Sequence, residues 1–432
     1  MEWNPLLTGA LRDTALKSAA ALTRSMMPVR AADQRSASLS AGSAGVAVCH
    51  AVAAAAGQDE RAREMAAACL DSAIEVLASQ PLSLSLYSGF TGIAWAADLV
   101  DRLLPGQAAD RNDDIDLALA RAVRRYPEDG PYDVIDGLAG LGIYALARWP
   151  RPEAADCLAG VVEQLAGRSR HDRNGVYWRT PAAGLPGPRR QLYPAGGVDV
   201  GMAHGMAGVV PLLARACALG VSESTARPLL DGAVGWLLEH LAESPAGRTA
   251  PSFITDDAAP APSRSAWCYG DPGVAVALLL AARDTGEPGW EQAATELALR
   301  AASRPPELSG VRDAGLCHGA AGLAHLFTRM HQLTGKQELA GAAQFWMERT
   351  LDMCAPFLEA GNATPAPRTP PGTSAGTGGS SLPGPAAAWN GPGLLEGAAG
   401  IALVLLAGCL PAEPAWDQML LVSTGLAAPV SA

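Results

Sequence analysis

No Cys-x-x-Cys pair occurs in this 432-residue chain, although it carries eight cysteines. Structural zinc sites are often closed by such pairs, so that kind of site is excluded. Nor do the cysteines show the spacing of a secreted disulfide framework. In a reducing compartment unpaired cysteines serve as metal ligands or core filler. The start, Met1-Glu2-Trp3-Asn4-Pro5, lacks the basic residues and apolar run of a signal peptide. The longest apolar stretch, 399–410, is too short to span a bilayer. A basic surplus is missing as well: 32 Lys and Arg against 43 Asp and Glu leave a net charge of -11. Nucleic-acid binding demands a Lys/Arg surface and is disfavoured, whereas a cationic peptide is compatible. Charged residues make up only 17% and hydrophobic ones 49%, which suits a large, well-buried body. We expect a soluble cytoplasmic protein.

What the chain does have is glycine in one recurring place. A Gly-x-x-Gly flanked by small and apolar residues appears at Gly42/Gly45, Gly89/Gly92, Gly137/Gly140, Gly205/Gly208, Gly270/Gly273, Gly319/Gly322 and Gly397/Gly400. The first glycines lie 47, 48, 68, 65, 49 and 78 residues apart. Each pair is followed by a helix-like apolar run, and amphipathic stretches such as 60–77 and 290–303 lie between copies. The shorter intervals accommodate two helices of roughly four turns each plus loops. The runs after the glycines are apolar nearly all round, as in an inner layer, and the intervening ones have one polar face, as in an outer layer. This favours a closed ring of hairpins over an open solenoid, with the glycine turns around one central mouth. Three longer intervals hold the remainder. Residues 168–200 read as a small β-type insertion or flap with basic and aromatic residues, and 244–265 as a Pro/Ala/Ser-rich loop. Residues 362–393, rich in Pro, Gly and Ser, read as a flexible loop. Since the repeat continues past each, we expect 1–432 to form a single domain.

Two neighbouring turns carry thiols. The fifth reads Arg264-Ser265-Ala266-Trp267-Cys268-Tyr269-Gly270; the sixth reads Gly315-Leu316-Cys317-His318-Gly319-Ala320-Ala321-Gly322. Adjacent side chains diverge in a regular element, but a glycine-rich bend can turn both toward one point. Two thiolates and one imidazole make a catalytic-type zinc set with the fourth position open. Cys49-His50 is a control: it follows its glycine pair inside a predicted helix, so it reads as core filler. Cys69, Cys157, Cys217, Cys354 and Cys409 read as buried small residues.

On these motifs the chain resembles the lanthionine synthetase C family, the lanthipeptide cyclases, from about residue 40 to the last repeat. No dehydratase or kinase-like segment precedes the repeats, so the resemblance is to the stand-alone cyclase of a class I system. It implies an all-α fold, an α/α toroid of seven inner and seven outer helices, with one Zn2+ at the mouth. Cys268, Cys317 and His318 would be the metal ligands. His204, in Gly201-Met202-Ala203-His204-Gly205, matches the acid/base histidine, Asp133 the motif aspartate and Arg264 the arginine four residues before the first ligand. Trp267 and Tyr269 match pocket-lining, substrate-binding positions. The implied substrate is a dehydrated precursor peptide with its leader. The implied partners are a dehydratase and an exporter, in a complex that would hold the enzyme at the membrane periphery.

The implied reaction is the Michael addition of a peptide cysteine to dehydroalanine or dehydrobutyrine. A free thiol has a pKa of about 8.5, and zinc coordination removes its proton outright. Attack creates an enolate that Arg264 could stabilise and His204 could protonate at Cα. Alternatively, His204 deprotonates the incoming thiol. Asp133 could orient His204, although Asp136, directly before Gly137, competes for that role or simply caps a helix. Arg264 could equally be a solvated loop residue. Glu396, before Gly397, faces the mouth by register. Three other functions compete with this one. Addition of glutathione or another thiol to dehydrated peptides would use the same ligands. A terpenoid cyclase or prenyltransferase is disfavoured by the lack of an Asp-x-Asp-Asp run. A non-catalytic peptide-binding toroid is disfavoured by the intact ligand set.

Overall fold

A computed structural model describes residues 3–27, 30–57, 60–105, 110–242, 249–256, 260, 263–359, 389 and 391–425. In chain order its helices are α1 (Gly9–Ser25), the short α2 (Gln34–Ala37), α3 (Ser43–Ala55), α4 (Glu60–Ser79), α5 (Phe90–Leu103), α6 (Asp113–Arg124), α7 (Leu138–Ala147) and α8 (Pro152–Arg168). They continue as α9 (Gly187–Leu192), α10 (Met206–Ala218), α11 (Glu223–Glu239), α12 (Asp271–Thr285), α13 (Pro288–Ser303), α14 (Ala320–Thr334), α15 (Gln337–Glu359) and α16 (Ala398–Cys409). The helices that follow the glycine turns form the inner layer. Each packs on the next, α3 on α5, α7, α10, α12, α14 and α16 in turn, and α16 returns to α3. The fold is an α/α toroid. Every residue of α16 is buried, as are most of those in α3, α12 and α14, so these helices are apolar on all sides.

The outer layer covers this ring with α4 on α3, α8 on α7, α11 on α10, α13 on α12 and α15 on α14, while α6 lies against α7 and α8. The outer partner of α16 is α1, from the other end of the sequence. The closing hairpin is thus built from two distant segments. Repeat periodicity could not show this, because it describes only neighbours in the chain.

A belt of backbone hydrogen bonds ties the turns together. The residue two positions before each first glycine donates its N–H to the carbonyl of its counterpart in the next repeat. The series runs Ser40 to Tyr87, Tyr87 to Ile135, Ile135 to Ala203, Ala203 to Cys268, Cys268 to Cys317, Cys317 to Leu395 and Leu395 back to Ser40, at 2.8–3.4 Å. The second glycine of each pair makes this approach possible. A Cβ there would lie only 1.8–2.5 Å from the carbonyl oxygen six residues earlier. At Gly270 the first glycine is required too, because its φ is +99°.

The far end of the ring is filled by the C-terminal segment, whose 3-10 turn Ala415–Leu420 buries Trp416, Asp417, Met419 and Leu420. Tyr87 Oη donates to the Met419 carbonyl at 2.8 Å and Trp267 Nε1 to that of Leu420 at 3.0 Å, so this segment backs the belt from below. Within 168–200 lie a hairpin of β1 (Arg170–Asp172) and β2 (Gly175–Tyr177), then α9, then β3 (Val198–Asp199). Strand β3 pairs antiparallel with β4 (Phe253–Ile254), which fastens the end of the insertion to the loop before the fifth turn. The expected loop 362–393 lies outside the described residues except for Trp389 and 391–393. Among the described residues no helix is long and apolar enough to cross a membrane.

Candidate metal and acid–base site

The belt decides where the sulfurs go. Cys268 and Cys317 are consecutive members of it, and His318 follows Cys317 in the last position before Gly319. Each of the three offers a ligand atom within 4.8 Å of the others. Among the described residues no other group of His, Cys, Asp and Glu gathers in this way. Cys268 is 7% exposed, while Cys317 and His318 are half-buried. The Cys317 S–H hydrogen-bonds to the Cys268 sulfur and lowers the Cys268 pKa against the opposing effect of burial, with further help from His318. The same hydrogen bond, with burial, holds the Cys317 proton more tightly, and the Cys268 thiolate raises His318. Asp313 Oδ2 stands 3.7 Å from His318 Nε2. Two thiols and an imidazole are a borderline-soft donor set that fits a zinc ion and leaves a coordination position for a further ligand.

In the fourth turn His204 Nδ1 lies 2.8 Å from Asp133 Oδ2. An ionised carboxylate only accepts, so the proton sits on Nδ1 and Nε2 is left to exchange one. Burial disfavours the charged imidazole, but the Asp133 hydrogen bond and the charges of Asp133, Asp199 and Asp136 outweigh it, and the His204 pKa is raised. Of the two competing aspartates, Asp133 makes the contact. Asp136 donates its backbone N–H to Asp133 Oδ1 at 2.8 Å and accepts from Ser88 Oγ at 3.4 Å.

Arg264 is exposed, and its positive charge adds to the lowering of Cys268 and works against the raising of Cys317. Tyr269 is half-buried beside the metal-ligand candidates. Trp267, expected to line the pocket, is 1% exposed, with its ring 6.0 Å from that of Tyr87. The C-terminal segment occupies the space behind it and takes its indole N–H, which leaves no face open to a ligand as it stands. Cys49 and His50 are buried against the first outer helix and its end, with Cys49 Sγ 3.8 Å from Thr23 Oγ1 and His50 Nε2 2.8 Å from the Met26 carbonyl.

The description "Lanthionine synthetase C-like protein" matches residues 33–421. The chain belongs to this family. It is 26% identical over 223 residues to the nisin biosynthesis protein NisC of Lactococcus lactis subsp. lactis, an alignment that takes in 47% of this chain and 50% of that protein. The match thus spans about half the length of that relative. Nisin cyclase is a structural neighbour with a TM-score of 0.71 and 20% identity, covering 95% of this chain and 96% of that one, and this likeness shows the shared fold.

Within this lanthionine synthetase C-like chain, three polar groups around the site escaped the sequence reading. Asp199 and Asp313 both stand six residues before a first glycine, and each takes the N–H of the glycine two residues on, Gly201 at 3.0 Å and Gly315 at 2.9 Å. The shared Asp-x-Gly at one repeat position was the signal that could have found them. The third, Arg189 on α9, reaches Asp199 Oδ2 at 3.1 Å and hydrogen-bonds to Tyr269 Oη. No local pattern announces it, because the contact depends on how the insertion folds back.

Proposed function

We propose that this chain is a zinc-dependent lanthipeptide cyclase, which adds a cysteine thiol of a dehydrated precursor peptide to dehydroalanine or dehydrobutyrine within the same peptide. The observation that carries the reading is the convergence of Cys268, Cys317 and His318 on the two turns that follow the one carrying His204, which is paired with Asp133. A zinc ion held by these three side chains supplies a substrate thiolate at neutral pH.

The remaining steps fall to the protein. As the C–S bond forms at Cβ, the alkene π electrons move into the carbonyl and leave an enolate. Arg264, the exposed guanidinium at the start of the fifth turn, meets this charge. The raised pKa of His204 makes it a proton donor through Nε2, and it delivers the proton to Cα. Asp133 keeps the imidazole in the required tautomer and balances its charge in the resting state. Dehydroalanine and dehydrobutyrine are Ser and Thr that have lost water, so this reading takes its substrate from a dehydratase acting on the peptide. The acidic chain, at a net charge of -11, favours the approach of a cationic peptide.

The test is metal analysis of purified protein beside Cys268→Ala and Cys317→Ala, followed by counting free thiols in a dehydrated peptide by alkylation. Stoichiometric zinc in the parent, lost in both variants together with thiol consumption, supports the reading. A parent that takes up no zinc when supplied with it would sink the reading.

A further inference from the structure

Helix α9 is a short element with no buried residue, and its Leu192 is 67% exposed. A six-residue helix is far too short to hold itself in water, so its contacts with the toroid must place it. The Arg190 guanidinium serves the insertion only, bonding to the carbonyls of Ala182, Ala183 and Leu185. Arg189 reaches across to the toroid. Its guanidinium meets Asp199 Oδ2 at 3.1 Å and Tyr269 Oη, and lies 5.0 Å from the ring centre of Tyr269 and 4.9 Å from that of Phe253. Tyr193, just after α9, stacks on Phe253 at 4.5 Å.

The receiving side is built for this. Asp199 is 1% exposed, paired through β3 to Phe253 on β4, and held by the Gly201 N–H and by the Tyr269 hydroxyl at 2.9 Å. A buried carboxylate without a cation would be costly, and Arg189 is the cation bonded to it. Tyr269 in turn is the chain neighbour of Cys268 and occupies the same repeat position as His204 and His318. One arginine therefore fixes both the insertion and a side chain at the rim of the site.

We propose that α9 is a lid on the rim between His204 and Cys268, latched by Arg189 in the Asp199–Tyr269 clasp, and that Arg189 is a positioning residue for the peptide-facing side of Tyr269. This rests on the cyclase reading for its substrate, but the latch itself can be read without turnover. Exchange of the amides of Arg190 in α9 and of Tyr193 at its end, which bond to the carbonyls of Pro186 and Arg189, reports the lid, and exchange in α10 and α12 reports the body. In Arg189→Ala the α9 amides should exchange at least about tenfold faster with α10 and α12 unchanged, and Arg189→Lys should recover part of the protection. The KM for dehydrated peptide should rise about tenfold in Arg189→Ala while kcat and zinc content move little, a split that loss of a merely structural ion pair does not produce. Asp199→Asn, which keeps the shape but removes the charge, should free the α9 amides as Arg189→Ala does; because the Asp199 charge also raises the His204 pKa, this variant is read by exchange alone. Unchanged α9 exchange in Arg189→Ala overturns the latch, and faster exchange with unchanged KM overturns the positioning role. If the parent does not cyclise peptide at all, the cyclase reading and the positioning role fall together, and the exchange result alone decides the lid.

Discussion

The molecule contains two His–Asp pairs of nearly equal length that do opposite things. His204 Nδ1 and Asp133 Oδ2 are 2.8 Å apart at the mouth; His325 Nε2 and Asp417 Oδ2 are 2.7 Å apart in the interior. The His204 side chain is 40% exposed, the His325 side chain 2%. At the mouth three acidic groups outweigh burial and raise the His204 pKa. Inside, burial dominates over the Asp417 contact and lowers that of His325, with a smaller push in the same direction from the Arg329 charge. Arg329 gives Asp417 Nε at 2.6 Å and Nη2 at 2.9 Å, so the carboxylate is already neutralised. Trp416 lies 4.7 Å from the His325 ring, and Arg329 sits over the Trp3 ring at 4.6 Å. The pairing distance alone therefore says nothing about function. Access to water and the presence of a third, cationic partner decide whether the imidazole can exchange a proton or serves as a strut.

The sharpest way to break the comparison is to remove one member of each pair in turn. Asp417→Ala removes the bidentate carboxylate from the Arg329 cation in the interior, where that side chain is 1% exposed and keeps Glu413 Oε1 at 2.8 Å. We expect a loss of about 3–5 kcal/mol in unfolding free energy, read by denaturant titration. The anchoring of the C-terminal segment behind Trp267 and Tyr87 should loosen with it. A loss below about 1 kcal/mol would show that the interior pair is no strut.

His204→Ala should do the reverse. An exposed pair is worth no more than about 1 kcal/mol, so the melting behaviour should barely change. Cyclisation should fall about 10²- to 10⁴-fold, measured as the rate of thiol loss in dehydrated peptide, with zinc retained. Loss of zinc in this variant would place His204 in the metal site and defeat its assignment to proton transfer.

The contrast also marks what was legible in the sequence. Glycine periodicity foretold the ring, because a second glycine is demanded wherever a carbonyl lies against the turn. The thiol motifs foretold the convergence of Cys268, Cys317 and His318, since belt residues of adjacent repeats must meet. Residues whose position depends on segments outside the repeat were not legible. The course of the C-terminal segment through the ring places Trp267 in the core and makes His325 a buried strut. The fold-back of the insertion brings Arg189 to Asp199, and α1 closes the ring on α16. Each of these is a contact between parts that share no period.

The smallest expected effect is a difference in sign. His204 has a raised pKa when folded, so it binds its proton more tightly than in the unfolded chain. Its contribution is fully present below the unfolded value of about 6.5 and is lost as pH rises through the folded pKa. His325 has a lowered pKa, so the unfolded chain binds that proton more tightly. Its contribution is present above about 6.5 and fades as pH falls from there toward the folded pKa. Unfolding free energies of the parent, His204→Gln and His325→Gln, taken at about pH 5.5 and about pH 8 in the same salt, separate the two. The gap between parent and His204→Gln should be wider at the acid end, by less than about 1 kcal/mol because the pair is exposed. The gap for His325→Gln should be wider at the alkaline end. Equal slopes in both variants would mean that the two imidazoles share one environment, and with it the distinction between proton donor and strut would fail.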